Sequence, residues 1–472
     1  MTEEEGAPAG GMAAPAPQEA PPDEARREET LSAALNAEAQ LAIETGDLDK
    51  AELVLAEAER SQTFALERHA LDAAKTLALR GGIALARQRF GEAAESFASA
   101  AEILPPGRKD ERFAYLNAEA DAFYRQGNES RGVEAFELAI SRYRHLALVR
   151  PRCDFPHDWA MTQMRLGAAL QTLGECGGGV GLLKDAAAAY RSALQEFTRA
   201  SAPQLWAMTQ MSLGTALFRV GEQEAGAESL NEAAAAYSEA LKEYTSERAP
   251  LDWARTQMNL GAALEALGVR EEGTARLTDA IAAYREALQG STKARAPALW
   301  AMTQFSLGSA LFRLGERTGN TPTLRQAAAA YREALQEQNS NRAPTQLAAA
   351  QACFANLLVA LGARESGTAE LEEAVSAYGK ALEVYDREQA PLQFAAIAAN
   401  QGIALSHIAE RRKDLEMAKL AAVQIEAAIT AFREGKDLAA AANYEARLAK
   451  AHALAAALAK DEASLTPQQA SA

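Results

Sequence analysis

The chain has 472 residues, with 48 Lys and Arg against 64 Asp and Glu, for a formal net charge of −16. That balance excludes the basic face that phosphate recognition needs, so no nucleic-acid partner is expected. An Ala-rich chain with only 6% aromatics and few runs of Val, Ile and Thr favours helices over strands.

The three cysteines, Cys153, Cys176 and Cys353, stand at unrelated spacings that suit neither a disulfide framework nor a metal knuckle. Such usage fits a reducing cytoplasm, and buried inert thiols are the plain expectation. The N-terminus lacks a basic region followed by an apolar run, so no signal peptide is expected. No stretch reads as a membrane span of about 18 to 20 apolar residues.

Residues 1–29 are rich in Pro, Ala and Glu and hold almost nothing that could form a core, which predicts a disordered acidic arm. Residues 30–150 then read as three short helix pairs. In the second, Leu77, Gly81 and Ala84 precede Phe90, Ala93, Phe97, Ala100 and Pro105. Small residues let the two helices approach, Phe97 fills the space between them, and Pro105 ends the second. This order of large residue, glycine, aromatic, Ala, aromatic, Ala and Pro resembles the tetratricopeptide repeat of about 34 residues. Ala39, Ala51, Leu55 and Ala58 match it less closely in the preceding pair, and Leu116, Ala120, Phe123, Gly132, Phe136 and Ala139 match it in the following one.

From 151 to 435 the same pattern continues with a longer unit. Pro156, Pro203, Pro250, Pro297, Pro344 and Pro391 recur every 47 residues, and all four tryptophans (Trp159, Trp206, Trp253, Trp300) stand three residues after such a proline. Leu166-Gly167 returns as Leu213-Gly214, Leu260-Gly261 and Leu307-Gly308, while Ala186, Tyr190 and Ala193 return through Ala374, Tyr378 and Ala381. Spacings of 4, 3 and 4 along Trp159, Gln163, Leu166 and Leu170 mark one helical face. A strict period means stacked units, each covering its neighbour's apolar face.

Gly174, Gly221, Gly268, Gly315 and Gly362 are predicted to end the first helices with positive φ. Thr274, Thr321 and Thr368 are predicted N-caps of the second helices, and the recurrent Thr-Gln pairs (Thr162-Gln163 through Thr303-Gln304) suggest Gln capping a neighbouring backbone group. Each unit is then two helices of roughly 17 residues, about 25 Å long.

The fifth and sixth units replace Trp by Leu347 and Phe394, as end units do. A last helix over 436–460 is expected to cap the array, with 461–472 as a tail. The fold class is an all-α solenoid of antiparallel helix pairs. HEAT-like repeats share the period but lack the Leu-Gly and Ala-Tyr-Ala pattern.

Catalytic groups do not converge. His69, His145, His157, His407 and His452 share no ligand spacing, so neither a metal nor another cofactor is expected. Cys153 and His157 are close in sequence but lie in an inter-helix turn without implied oxyanion donors. Gly174 to Gly181 joins two helices and lacks the Gly-Lys-Ser/Thr ending of a phosphate loop.

The resemblance implies a non-enzymatic scaffold whose concave groove takes a peptide or helix of a partner protein. On the family's template, Met161, Met164, Met208, Met211, Met258 and Met302 face that groove, continued by Phe218, Phe305 and Phe312. A Met-lined surface accepts varied apolar side chains; the competing reading packs the same methionines between neighbouring first helices. A regulatory receptor for a small molecule or peptide and a self-assembling module are the alternative functions. Arg142, Arg144, Arg150 and Arg152 form a local basic run. It reads as a solvated turn or a counterpart of the acidic arm, with an acidic-ligand patch as the sharper alternative.

Overall fold

Proline at the first helical position and alanine through the interior make helices the cheapest local structure for almost every segment of this chain. The computed structural model describes residues 22–337 and 344–469, with side chains from 30 to 462. The described residues are helical throughout, with short turns between helices and no strand among them. The chain divides into two units between Val149 and Arg150.

The first unit contains α1 (Pro22–Thr45), α2 (Leu48–Ala86), α3 (Phe90–Ile103), α4 (Lys109–Ser130) and α5 (Val133–Val149). Helix starts at Pro22, within the expected arm; residues 1–21 lie outside the described ones. The first two of the three expected pairs share one 39-residue helix, α2. No Gly or Pro interrupts residues 60–75, so nothing there forces a turn. Close approach is secured by glycine: a Cβ on Gly81 would lie 3.0 Å from the Phe97 ring, and one on Gly127 2.8 Å from Phe136.

The second unit stacks six pairs and an end helix. The first helices are α6 (Pro156–Leu173), α8 (Pro203–Gln223), α10 (Pro250–Arg270), α12 (Pro297–Thr318), α14 (Pro344–Gly362) and α16 (Pro391–Arg412). The second helices are α7 (Val180–Ala193), α9 (Glu228–Ala240), α11 (Ala275–Gly290), α13 (Thr321–Glu337), α15 (Ala369–Leu382) and α17 (Leu415–Glu434). The final α18 (Leu438–Gln469) follows α17. It runs past the expected end at 460, so the described part of the 461–472 tail is helical; 470–472 lie outside the described residues.

Five of the six pairs close on a tyrosine, and in the last Ile425 takes its place against Gly402. Cβ atoms on Gly167, Gly214, Gly261 and Gly308 would stand 2.8, 2.8, 2.7 and 3.1 Å from the rings of Tyr190, Tyr237, Tyr284 and Tyr331. All four rings are at most 2% exposed. The second glycine of each unit corrects an expectation. Gly174 has φ −60°, and none of Gly221, Gly268, Gly315 or Gly362 has positive φ. They lie at or inside the helix ends and supply space: Cβ atoms there would come within 2.5–2.9 Å of Leu183, Leu230, Leu277, Leu324 and Leu371.

The predicted caps also differ. Thr274 and Thr368 hold the N-cap position without a side-chain bond, while Asn320 Oδ1 accepts from the Thr323 N–H at 3.1 Å. In the Thr-Gln pairs it is the buried threonine that bonds, Thr209 to Leu205 O at 2.6 Å and Thr303 to Leu299 O at 2.7 Å. A third expectation fails at α14, which is long and apolar enough to cross a membrane by composition alone. Its Phe354, Leu357, Leu358 and Leu361 are packed in the stack's main apolar cluster, which explains the hydropathy as core.

Candidate functional site on the first-helix face

Sequence logic places a groove along the first helices, where successive members touch: α6 with α8, α8 with α10, and on to α16. Five of the six methionines on this row are half-buried, and Met302 alone is more than half exposed, at 54%. Met161 and Met164 pack against the cluster holding Trp206 and Ala207 of the next unit. Met258 packs against the main cluster, and Met211 Sδ accepts the Thr256 hydroxyl of α10 at 3.4 Å. These methionines therefore make contacts between neighbouring first helices. Phe305 stands edge-on to Tyr331, with centroids 5.0 Å apart, and Phe218 and Phe312 are half-buried.

A polar ladder, not singled out in the sequence, runs beside this row. In the first five pairs the buried tyrosine of the second helix reaches a polar side chain on the first helix. Tyr190 Oη donates to Gln171 (3.2 Å), Tyr284 to Glu265 (3.0 Å) and Tyr378 to Asn356 (2.6 Å). Tyr237 bonds Thr215 at 3.1 Å and Tyr331 bonds Ser309. At the far end Tyr444 of α18 donates to Asn400 (3.0 Å), whose amide donates to Asn356 (3.1 Å). Burial pushes the Tyr237, Tyr284, Tyr331 and Tyr378 hydroxyls well above their ordinary range, so each stays protonated.

The ladder's most connected member is Glu265. Its carboxylate accepts from Tyr284, from Ser309 Oγ at 2.7 Å and from Arg313 Nε at 3.1 Å, joining three helices. Beside it a cavity of about 620 Å³ opens between α12 and α14, lined by Phe312, Arg313, Glu316, Tyr331, Cys353 and Asn356 among others. Desolvation by the cavity walls raises the Cys353 thiol above its usual pKa, against the pull of Arg313. Cys353 is part of the wall, and against the expectation of buried thiols all three cysteines are exposed. Among the described residues no three His, Cys, Asp or Glu side chains group closely enough to hold a metal.

Arginine also ties the units in register. Arg317 donates to Gly268 O (2.8 Å) and Gly273 O (2.5 Å) of the preceding unit, and Arg270 does the same to Gly221 O (2.5 Å) and Gly226 O (3.1 Å). Arg411 repeats the clamp on Gly362 O at 2.6 Å. The signal was present as a 47-residue recurrence of Arg270, Arg317, Arg364 and Arg411. Only the fold shows that three of the four clamp carbonyls of the preceding unit, while Arg364 bonds Ala360 O of its own helix and pairs with Glu316.

The basic run is divided between the units. Within the first, Arg142 pairs with the nearly buried Glu119 at 2.7 Å, and Arg144 is exposed. Within the second, Arg150 pairs with Asp158 and lies 4.6 Å from the Phe155 ring, and Arg152 pairs with Glu196 at 2.5 Å. Internal acids thus engage three of the four arginines.

Helix pairs in close contact, a buried tyrosine in five of the six, and a first-helix row shared between units define the fold. The chain folds as an all-α solenoid of tetratricopeptide-like helix pairs. No family model matches its sequence, and no curated protein does. Solved structures similar to this tetratricopeptide-like array include the C-terminal part of a TPR repeat-containing protein from Cytophaga hutchinsonii. It is 10% identical with TM-score 0.42, and the match covers 65% of this chain and 94% of that one. A Rap protein complexed with Competence and Sporulation Factor is 10% identical with TM-score 0.42, covering 82% and 99%. The apo form of RapI is 13% identical with TM-score 0.45, covering 80% and 97%.

Proposed function

We propose that this tetratricopeptide-like protein is a non-enzymatic scaffold, cytoplasmic in location, that holds an extended segment of a partner protein along its first-helix face. The observation that carries the reading is the cavity of about 620 Å³ between α12 and α14. It combines an aromatic wall, Phe312, with hydrogen-bonding groups held rigid by the tyrosine ladder. Polar anchors recur once per unit, so a chain crossing several units meets a fixed partner at each step. Preorganised donors and acceptors lower the ordering cost of binding such a segment. The exposed Met302 gives the same face an adaptable apolar contact.

Cys353→Arg tests this directly. Position 353 corresponds to Arg165 in the first 47-residue unit, four repeats earlier, so arginine is compatible with the fold there. Affinity capture from native lysate is compared for wild type, Cys353→Arg and Met302→Glu, each with unchanged helical circular dichroism. A protein retained by wild type and lost from both variants supports the reading. Identical captures by all three refute it.

A further inference from the structure

The last 47-residue unit departs from the others at two core positions. Gln401 stands where the preceding units carry Leu166, Leu213, Leu260, Leu307 and Phe354, and Gln424 stands where they carry Ala189, Ala236, Ala283, Ala330 and Ala377. The two amides meet between α16 and α17. Gln424 Nε2 donates to Gln401 Oε1 at 3.4 Å, and Gln401 Nε2 donates to Val375 O of α15 at 3.1 Å.

The direction of this chain is fixed from one end, because a backbone carbonyl only accepts. Gln401 must turn its NH₂ to Val375, and Gln424 must turn its NH₂ to Gln401. That leaves Gln424 Oε1 as the free terminus, and it is buried without a hydrogen-bond partner. An unpaired buried acceptor is costly, and an Ala–Leu pair at these positions would have avoided the cost.

Both glutamines line a cleft of about 500 Å³ whose wall includes Leu392 and Phe394, with the exposed Arg387 and Glu434 also on its lining. Its size is that of a small-molecule site, and its mix of apolar wall with few polar groups fits one. We propose that this cleft binds an aromatic amino acid: the ring against Phe394 and Leu392, carboxylate toward Arg387, and ammonium toward Glu434. Gln424 Oε1 is buried as the amide stands, so reaching a ligand N–H requires the Gln424 amide to turn and exchange its long 3.4 Å bond to Gln401 for one to the ligand. The site lies between α16 and α17 and is independent of the protein-binding reading above.

The test is isothermal titration of the full chain with tryptophan, phenylalanine and indole. The comparison protein is Gln401→Leu/Gln424→Ala, which restores the residues of the other units and keeps the stack's packing. Wild type should bind tryptophan saturably, with affinity falling at least tenfold in the double variant. Arg387→Ala should weaken tryptophan several-fold and leave indole, which lacks a carboxylate, unchanged. Equal affinity of wild type and double variant, or no saturable binding of any probe because water alone serves the amide, overturns the proposal.

Discussion

Gly261→Ala sets two effects of opposite sign against each other. Gly261 is buried in α10, where alanine gains about 1 kcal/mol of helix propensity over glycine. The added Cβ, however, would lie 2.7, 2.8 and 3.0 Å from three ring atoms of Tyr284. That ring is 1% exposed, and its hydroxyl is bonded to Glu265, so it has nowhere to retreat. Overpacking a dense core costs about 1–3 kcal/mol. With three sub-contact distances against a fixed ring, the upper part of that range applies. The net loss is then about 1–2 kcal/mol, after subtracting the propensity gain of about 1 kcal/mol. Gly379→Ala is the matched control: it sits inside α15, and its Cβ would meet only Gln401 Nε2, at 4.0 Å. It should gain about 0.5–1 kcal/mol. Urea unfolding followed at 222 nm reads both. A third variant, Gly261→Ala/Tyr284→Leu, should lose less than the sum of its singles, since shortening the ring removes the collision. If Gly261→Ala is as stable as wild type, glycine is not what gates the helix pair.

Met211→Glu should destabilise the fold by roughly 2 kcal/mol or more, since it places a carboxylate in a half-buried contact between α8 and α10. Met302→Glu, more than half exposed, should stay within about 0.5 kcal/mol of wild type in the same denaturant titration. Arg317→Ala removes two charge-assisted bonds to the preceding unit and should cost about 1–3 kcal/mol. Hydrogen exchange should show faster opening of the 268–273 turn in that variant, and unchanged protection there would count against the clamp. His407 has its pKa held below the ordinary value by burial, with Arg411, Arg447 and Lys450 adding to the effect and Glu410 opposing it. A histidine depressed in the folded state contributes stability that is full above pH 6.5 and is lost as pH falls toward its folded pKa. Thermal midpoints measured downward from pH 7 should therefore fall less steeply for His407→Gln than for wild type.

The repeat grammar carried the architecture because it is a one-dimensional code. A 47-residue recurrence of Pro, Leu-Gly and Ala-Tyr-Ala dictates helix pairs whose faces must be covered by neighbours, whatever lies at their ends. The same code misread the second glycine. A glycine near a helix end suggests positive φ, and only the position of Leu230 beside Gly221 reveals a demand for space. It also missed the long α2, where two expected helices fuse because no residue breaks them.

The candidate site was legible only as a row of residues. Methionine spacing located the first-helix face, but a period cannot say whether a side chain on that face turns outward or into the adjacent unit. That choice depends on how closely the units stack, and stacking places Met211 on Thr256 while leaving Met302 in solvent. Glu265 and Asn356 carried no signal, because each departs from the repeat and departures look like noise along a sequence; Arg313 recurs only with Arg219, two units apart, and nothing in that recurrence points to Glu265. The sequence by itself determined the helices, their pairing and their period, since these follow from local propensity and nearest-neighbour burial. Only the tertiary structure decided which irregular residues converge, because convergence joins groups about one repeat apart through packing that no local pattern encodes.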